Sequence, residues 1–263
     1  MTKTGGLQYT DRCLEQQRPL PGILQNGLSS FVSRMIICCI VFWGIITSVS
    51  GRGTGCLNKE IKSLMAFKSS LHDPVGRLVS WNVSFSCCEW EGVTCDTRIG
   101  HVVAVDLDNC SLSGVFRPAV LIELKYLGTL NVSINNFTGQ PIPQQLGLLR
   151  NLRYLNLSTA GFEGSIPWQL GNLSNLIVLD LTSPVSMLRS PDLSWLTNLM
   201  ALEQIYLKGI NISATSPTWG QSISPLTQLR NISKKNYGLM GSIPASLQKL
   251  TSLEIVHLDG NNF

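Results

Sequence analysis

The sequence predicts an α/β solenoid: a right-handed superhelix with short parallel strands on its concave face and a disulfide-stapled helical cap at its N-terminal end. Three observations lead there. A leucine-bearing pattern returns every 24 to 27 residues from His101 onward. Charged residues make up 14% of the chain, against roughly 25% in an average soluble protein, as a long thin interior rich in leucine requires. Four of the eight cysteines fall between Cys56 and Cys95, just ahead of the periodic region.

The recurring pattern is L-x-L-x-x-N-x-L-x-G-x-I-P. Its first position falls at Val105, Leu130, Leu155, Leu179, Ile205, Ile232 and Val256, and its fullest copy runs from Leu152 to Leu173. A period of about 20–29 residues with this pattern marks a leucine-rich repeat. The two leucines of L-x-L point inward from a short strand. The chain then crosses to the convex side and returns one layer on, so that all layers share one core and one sheet.

Several positions depart from the pattern. Its asparagine is expected to satisfy backbone groups of neighbouring layers, yet it stands only at Asn135 and Asn261; Cys110, Ala160, Pro184, Ile210 and Tyr237 replace it elsewhere. Lys234 takes an inward position in the sixth repeat. Either its stem lies along apolar surface while the ammonium escapes, or the local register slips. Residues 213–225 are expected to interrupt the repeats as a polar loop. The repeats span 102–263, about seven of them, and the last reads as truncated because the chain stops inside it at Phe263.

Residues 56–95 form the cap. Ile61, Leu64, Met65, Lys68 and Leu71 recur at helical spacing, with Phe67 beside them. Asp73-Pro74 is expected to end that helix, because the residue before proline avoids helical torsions. Trp81 and Trp90 bring large apolar faces to a small module. Cys56, Cys87, Cys88 and Cys95 read as disulfide staples, with three connectivities open. Zinc is disfavoured: adjacent Cys87-Cys88 cannot give the usual ligand spacing, and no histidine lies at a ligand interval. No other metal or cofactor is expected.

At these intervals Cys56, Glu60, Leu64, Phe67, Lys68, Leu71, Asp73-Pro74, Leu78, Ser80-Trp81, Cys87-Cys88, Trp90, Gly92-Val93 and Cys95 closely resemble the N-terminal cap of plant leucine-rich-repeat receptors. Ile142-Pro143, Ile166-Pro167 and Ile243-Pro244 follow the glycine as in the plant-specific repeat class. DLSWLTNL at 192–199 is similar to plant receptor-like proteins, the kinase-less relatives of the receptor kinases. The resemblance covers about 56–263. It implies Cys56–Cys87 and Cys88–Cys95 pairing and the N-terminal portion of an ectodomain.

The compartment is legible independently. Met35 to Ile46 is an apolar run preceded by Arg34, shorter than the about 20 residues of a membrane span. It reads as a signal-peptide core within 35–50, with cleavage after Ser50 and before Gly51; an uncleaved signal anchor is the alternative. Residues 1–34 read as an unstructured extension, and Met35 as a possible true start. Asn82, Asn109, Asn131, Asn136, Asn156, Asn172, Asn211 and Asn231 each begin N-x-[S/T] without proline, which points to the secretory route.

Strand alternation sends the residues between and beside the inward leucines to the concave face, the usual binding surface of this architecture. Tyr154, Gln204, Tyr206, Lys208 and His257 form the column of candidate ligand-binding residues. Glycans on Asn131, Asn156 and Asn231 are expected to shield part of that face. Catalysis is not expected. His72 and His101 join no obvious Ser/Asp constellation, Gly51 to Gly55 lacks Walker-A lysine spacing, kinase signatures are missing, and Asp106 and Asp108 share one strand. Setting aside Lys3, Arg12, Arg18, Arg34, Asp11 and Glu15 leaves 16 basic and 14 acidic residues, which gives no footprint for nucleic acid. The resemblance implies a cell-surface recognition module for defence or developmental signalling. It would bind a protein or peptide ligand and a co-receptor kinase, held at the membrane by a C-terminal anchor outside this chain or by the N-terminal apolar run. The alternatives are a wall-secreted inhibitor of microbial polysaccharide-degrading enzymes and a non-functional remnant.

Overall fold

A computed structural model describes residues 56–184, 187–212, 219–234, 239, 242–261 and 263. The chain divides into two units, Met1–Gly51 and Arg52–Phe263, and every described residue falls in the second. The extension, the apolar leader, its cleavage site, Lys235 and Tyr237 lie outside the described residues.

The cap opens with helix α1 (Asn58–Lys68), which buries Glu60, Ser63, Leu64 and Phe67. The helix stops well short of Asp73-Pro74. The hydroxyl groups of Ser69 and Ser70 donate to the carbonyls of Ala66 and Phe67, so serine side chains take over helix-terminal acceptors. Leu71 continues the helical spacing in sequence but belongs to strand β1 (Leu71–His72). The Asp73 carboxylate instead organises the next turn, accepting the backbone N–H of Arg77 and of Leu78 at 2.9 and 2.7 Å. Lys68 Nζ donates to the carbonyls of Leu78 and Trp81, which ties this turn back to α1. Trp81 and Trp90 stack with centroids 5.5 Å apart. Disulfides join Cys56 to Cys87 and Cys88 to Cys95, and links of this kind are typically worth about 2–4 kcal/mol each.

One sheet runs from the cap through every layer. Strand β2 (Val93–Cys95) pairs antiparallel with β3 (Val102–Asp106). Strand β4 (Ser113–Gly114) leaves the first layer to pair with β1. From β3 the parallel strands follow one per layer: β5 (Thr129–Asn131), β6 (Tyr154–Asn156), β8 (Val178–Asp180), β10 (Gln204–Tyr206), β11 (Asn231–Ser233) and β12 (Ile255–His257). Their register aligns Val105, Leu130, Leu155, Leu179, Ile205, Ile232 and Val256. These are the positions the period assigns. A second small parallel sheet, β7 (Gly164–Ser165) with β9 (Leu188–Arg189), forms where the glycine of the pattern sits.

The inward leucines are nearly all buried, each contributing on the order of 1.5–3 kcal/mol. Phe67 of the cap meets Phe116, which packs on Phe137 and Phe162 at 5.4 and 5.3 Å. This phenylalanine spine couples the cap to the first three layers. The turns leaving β3, β5, β6, β10 and β12 use left-handed torsions at equivalent positions, Asn109, Ile134, Thr159, Gly209 and Gly260.

Two further expectations are corrected. Trp219–Ile223 is a short helix, α2, rather than polar loop. Trp219 and Ile223 are buried, because the apolar pair at this spacing occupies the place that short 3-10 turns such as Ser194–Asn198 hold in other layers. Residues 213–218 lie outside the described part. Lys234 neither slips nor escapes: β10 and β11 pair in unbroken register, and its side chain is 3% exposed. Its Nζ donates to the Ile210 carbonyl at 2.7 Å.

Candidate functional site

The concave sheet presents three side-chain columns, because outward positions along each strand recur at every second residue. In the first, Ala104, Thr129, Tyr154, Val178, Gln204, Asn231 and Ile255 follow one another. The second aligns Asp106, Asn131, Asn156, Asp180, Tyr206, Ser233 and His257. A third continues just beyond the strands through Asp108, Ser133, Ser158, Thr182 and Lys208. The five candidate ligand residues therefore do not share one column. Tyr154 and Gln204 lie in the first, Tyr206 and His257 in the second and Lys208 in the third. Gln204, Tyr206 and Lys208 are brought together on one layer, with His257 two layers on and Tyr154 two layers before.

The second column has a duty that the sequence reading missed. Asp106, Asn131, Asn156 and Asp180 each accept, through Oδ1, the backbone N–H two residues later, at 3.2, 3.1, 2.9 and 2.8 Å. Four successive layers thus use a short acidic or amide side chain to close the strand end. The signal is the repeated D/N-x-[D/S/T] at the same repeat position. At Tyr206, Ser233 and His257 that residue type gives way to an aromatic, a hydroxyl and an imidazole. Tyr206 donates its hydroxyl to Gln204 Oε1 at 3.0 Å, Lys208 and His257 are exposed, and Asn231 Oδ1 is buried without a hydrogen bond among the described residues.

Asp106, Asp108 and Asp180 sit on the first four layers. Burial raises the Asp180 carboxyl above its ordinary value. Burial likewise raises the Tyr154 phenol, with a smaller push from the charges of Asp180, Asp106 and Asp108. The later layers carry Lys208, His257 and Asp259.

The sequons do not cover the face evenly. Asn82, Asn109, Asn136, Asn172 and Asn211 are exposed, Asn156 and Asn231 are half-buried, and Asn131 is buried. Asn131 Oδ1 also accepts the Ser133 hydroxyl at 2.6 Å. His101, unassigned in sequence, has a structural place: its Nδ1 lies 3.1 Å from Glu60 Oε1 and its ring lies against Tyr126. Among the described residues, one group of metal-type side chains converges, Cys87, Cys88 and Cys95. Its sulfurs are disulfide-bonded and offer no thiolate.

Comparison with known proteins agrees with this geometry. The family described as Leucine rich repeat N-terminal domain matches residues 57–96, and Leucine Rich Repeat matches 151–173. Receptor-like protein EIX1 of Solanum lycopersicum is 36% identical over 235 residues, 82% of this chain and 22% of that protein. The chain is a plant-type leucine-rich-repeat protein, homologous to receptor-like proteins. Receptor-like protein Cf-9 of Solanum pimpinellifolium is 37% identical over 70% of this chain and 21% of its own length. The chain therefore spans about a fifth of these relatives (22% and 21%). Among solved structures, the Arabidopsis receptor kinase HAESA, in complex with the peptide hormone IDA and the co-receptor SERK1, aligns with a TM-score of 0.67 at 32% identity. The alignment covers 78% of this chain and 34% of that one.

Proposed function

We propose that this chain is the N-terminal part of an extracellular receptor-like ectodomain that binds a protein or peptide ligand through its concave face and catalyses no reaction. The observation that carries the reading is the change of the second column from strand-closing Asp and Asn to Tyr206, Ser233 and His257. Beside it stand Gln204, Lys208 and the unsatisfied Asn231 oxygen. An aromatic anchor with adaptable polar neighbours is the composition that concentrates binding energy at interfaces. The similarity to a receptor ectodomain solved with a peptide hormone and a co-receptor supports the same ligand class. Two disulfides, the sequons and the apolar leader support delivery through the secretory route to the outer face of the cell membrane. A membrane anchor and a partner kinase would carry the signal inward.

The test is peptide capture. Secreted chain, wild type and a variant carrying Tyr206→Ala with Lys208→Ala, is immobilised and exposed to the small-molecule fraction of plant cell-wall fluid. Bound peptides are read by mass spectrometry. A peptide retained by the wild type and lost from the variant supports the reading. Equal retention on both proteins contradicts it.

A further inference from the structure

We propose that the flank formed where the chain enters each strand is a second docking surface, distinct from the concave face, for an extended acidic segment of a protein partner bearing an apolar side chain. Four observations meet there. Lys125, Arg150 and Arg153 are exposed on this flank, and among the described residues no carboxylate lies within ion-pair distance of them. Arg230, further along the same flank, shows the contrast: Glu203 and Glu254 hold it at 3.6 and 2.8 Å. The flank neutralises its charge at one end and leaves three cations unmatched at the other.

Between the cations the surface is hollow. A pocket of about 100 Å³ opens among Leu124, Leu127 and Leu149, rimmed by Lys125 and Arg150. Asn151 borders it and also borders an open groove of about 540 Å³ that continues past Arg153 and Asn175 to Glu203, whose carboxylate pairs with Arg230. The amides along this path are already oriented. Asn151 Nδ2 donates to the Lys125 carbonyl at 2.6 Å and Asn175 Nδ2 to the Arg150 carbonyl at 3.0 Å. Each amide oxygen is thereby left as an acceptor for a partner's backbone N–H. An apolar side chain fits the pocket, flanking carboxylates meet the cations, and the arginines are suited to bidentate pairing. No sequon asparagine lies in the flank segments 125–128, 150–153, 174–177, 200–203 or 227–230. Asn172 stands at the convex border, and the remaining sequons lie on the concave face, the opposite flank or the cap. Glycans would therefore leave this flank open to a protein partner.

The experiment uses the secreted chain and a short fluorescein-labelled peptide built of Glu-Leu-Glu triplets, read by fluorescence anisotropy at low and moderate salt. Two further peptides replace glutamate by lysine or leucine by serine. The glutamate–leucine peptide is expected to bind, more weakly at higher salt, and to lose at least about ten-fold in affinity when Lys125, Arg150 and Arg153 are changed to glutamine. The lysine peptide should not bind, and the serine peptide should bind more weakly. Arg230→Gln, which removes a paired cation, and Tyr206→Ala, on the concave face, should leave binding unchanged. Unfolding transitions of all variants check that they remain folded; the four substituted cations are exposed and Tyr206 is half-buried. Binding that survives the triple substitution, falls equally with Tyr206→Ala, or is shared by the lysine peptide would overturn the proposal. Equal binding of the serine peptide would remove the pocket from it. None of these results depends on the peptide-capture test, so the two readings fail separately.

Discussion

The ammonium of Lys234 donates to the Ile210 carbonyl at 2.7 Å, from an inward position of one layer into the layer before it. Ile210 stands where the repeat pattern calls for asparagine. Asn135 shows what that asparagine does. Its Nδ2 donates to Leu107 in the preceding layer at 2.7 Å and to Val132 in its own at 2.9 Å, and its Oδ1 accepts from Leu112 N–H. Asn261 repeats the arrangement with Lys234, Leu258 and Leu239. Lysine thus reaches from the next layer to a carbonyl at a position where the asparagine is missing.

This arrangement makes stability depend on pH. Burial lowers the Lys234 pKa from 10.5 to about 8. A base with a lowered folded pKa binds fewer protons folded than unfolded between those values. Stability therefore rises as pH rises from about 8 to about 10.5, and the penalty of the buried charge is fully present below 8. At about 1.4 kcal/mol per unit the swing is about 3 kcal/mol. Urea denaturation of wild type and Lys234→Leu across this range should show a wild-type rise that the variant lacks. Parallel curves would show that the ammonium is solvated.

Ile134 has a left-handed φ of 52°, where a β-branched residue is strained. It is also 49% exposed, so little burial offsets the strain. Ile134→Asn introduces a residue that tolerates this conformation and should raise stability by about 0.5–1 kcal/mol. A fall in the denaturation midpoint would contradict the strain argument.

Glu60 joins the cap to the first strand. Although nearly fully buried, it accepts the backbone N–H of Leu57 and of Val102 and meets His101 Nδ1. Glu60→Ala leaves the buried Val102 N–H without an acceptor and frees the more exposed Leu57 N–H to water, and should cost about 1–3 kcal/mol. His101→Phe keeps the ring against Tyr126 and should cost less. Thermal unfolding of both variants checks the order, and equal losses would place the cost in the His101 contact rather than in the backbone donors.

The sequons yield a prediction of their own. Strand formation buries Asn131 and engages its Oδ1, while Asn82, Asn109, Asn136, Asn172 and Asn211 stay exposed. Glycopeptide mass spectrometry of the secreted chain should find those five occupied and Asn131 unmodified. A glycan on Asn131 would mean that the second layer is not closed as described.

The strand positions were legible in the sequence because an inward residue at a fixed interval is a direct consequence of stacking. Val105, Leu130 and Leu155 needed nothing beyond the period. The end of α1 was harder to read, because Leu71 keeps helical spacing and only the Ser69 and Ser70 hydroxyls reveal the stop. Helix α2 was hidden because Trp219 and Ile223 sit in polar sequence outside the pattern. The inward position of Lys234 was plain, but its partner lies 24 residues away, a distance no local pattern reports. The candidate residues were grouped as one column, whereas the strand register divides them among three. Residues 204, 206 and 208 lie side by side across a layer, and only the register of neighbouring strands separates the columns.

The central claim is that Tyr206 and its neighbours face a ligand. The most direct test places a photo-crosslinking amino acid at Tyr206, and separately at Trp168, which is 66% exposed on the convex side. The protein is expressed at the surface of plant cells and irradiated. The account predicts covalent capture at 206 of a peptide or a leucine-rich-repeat ectodomain, identified by mass spectrometry, with little capture at 168. Equal capture at both positions, or capture at 168 alone, would contradict it.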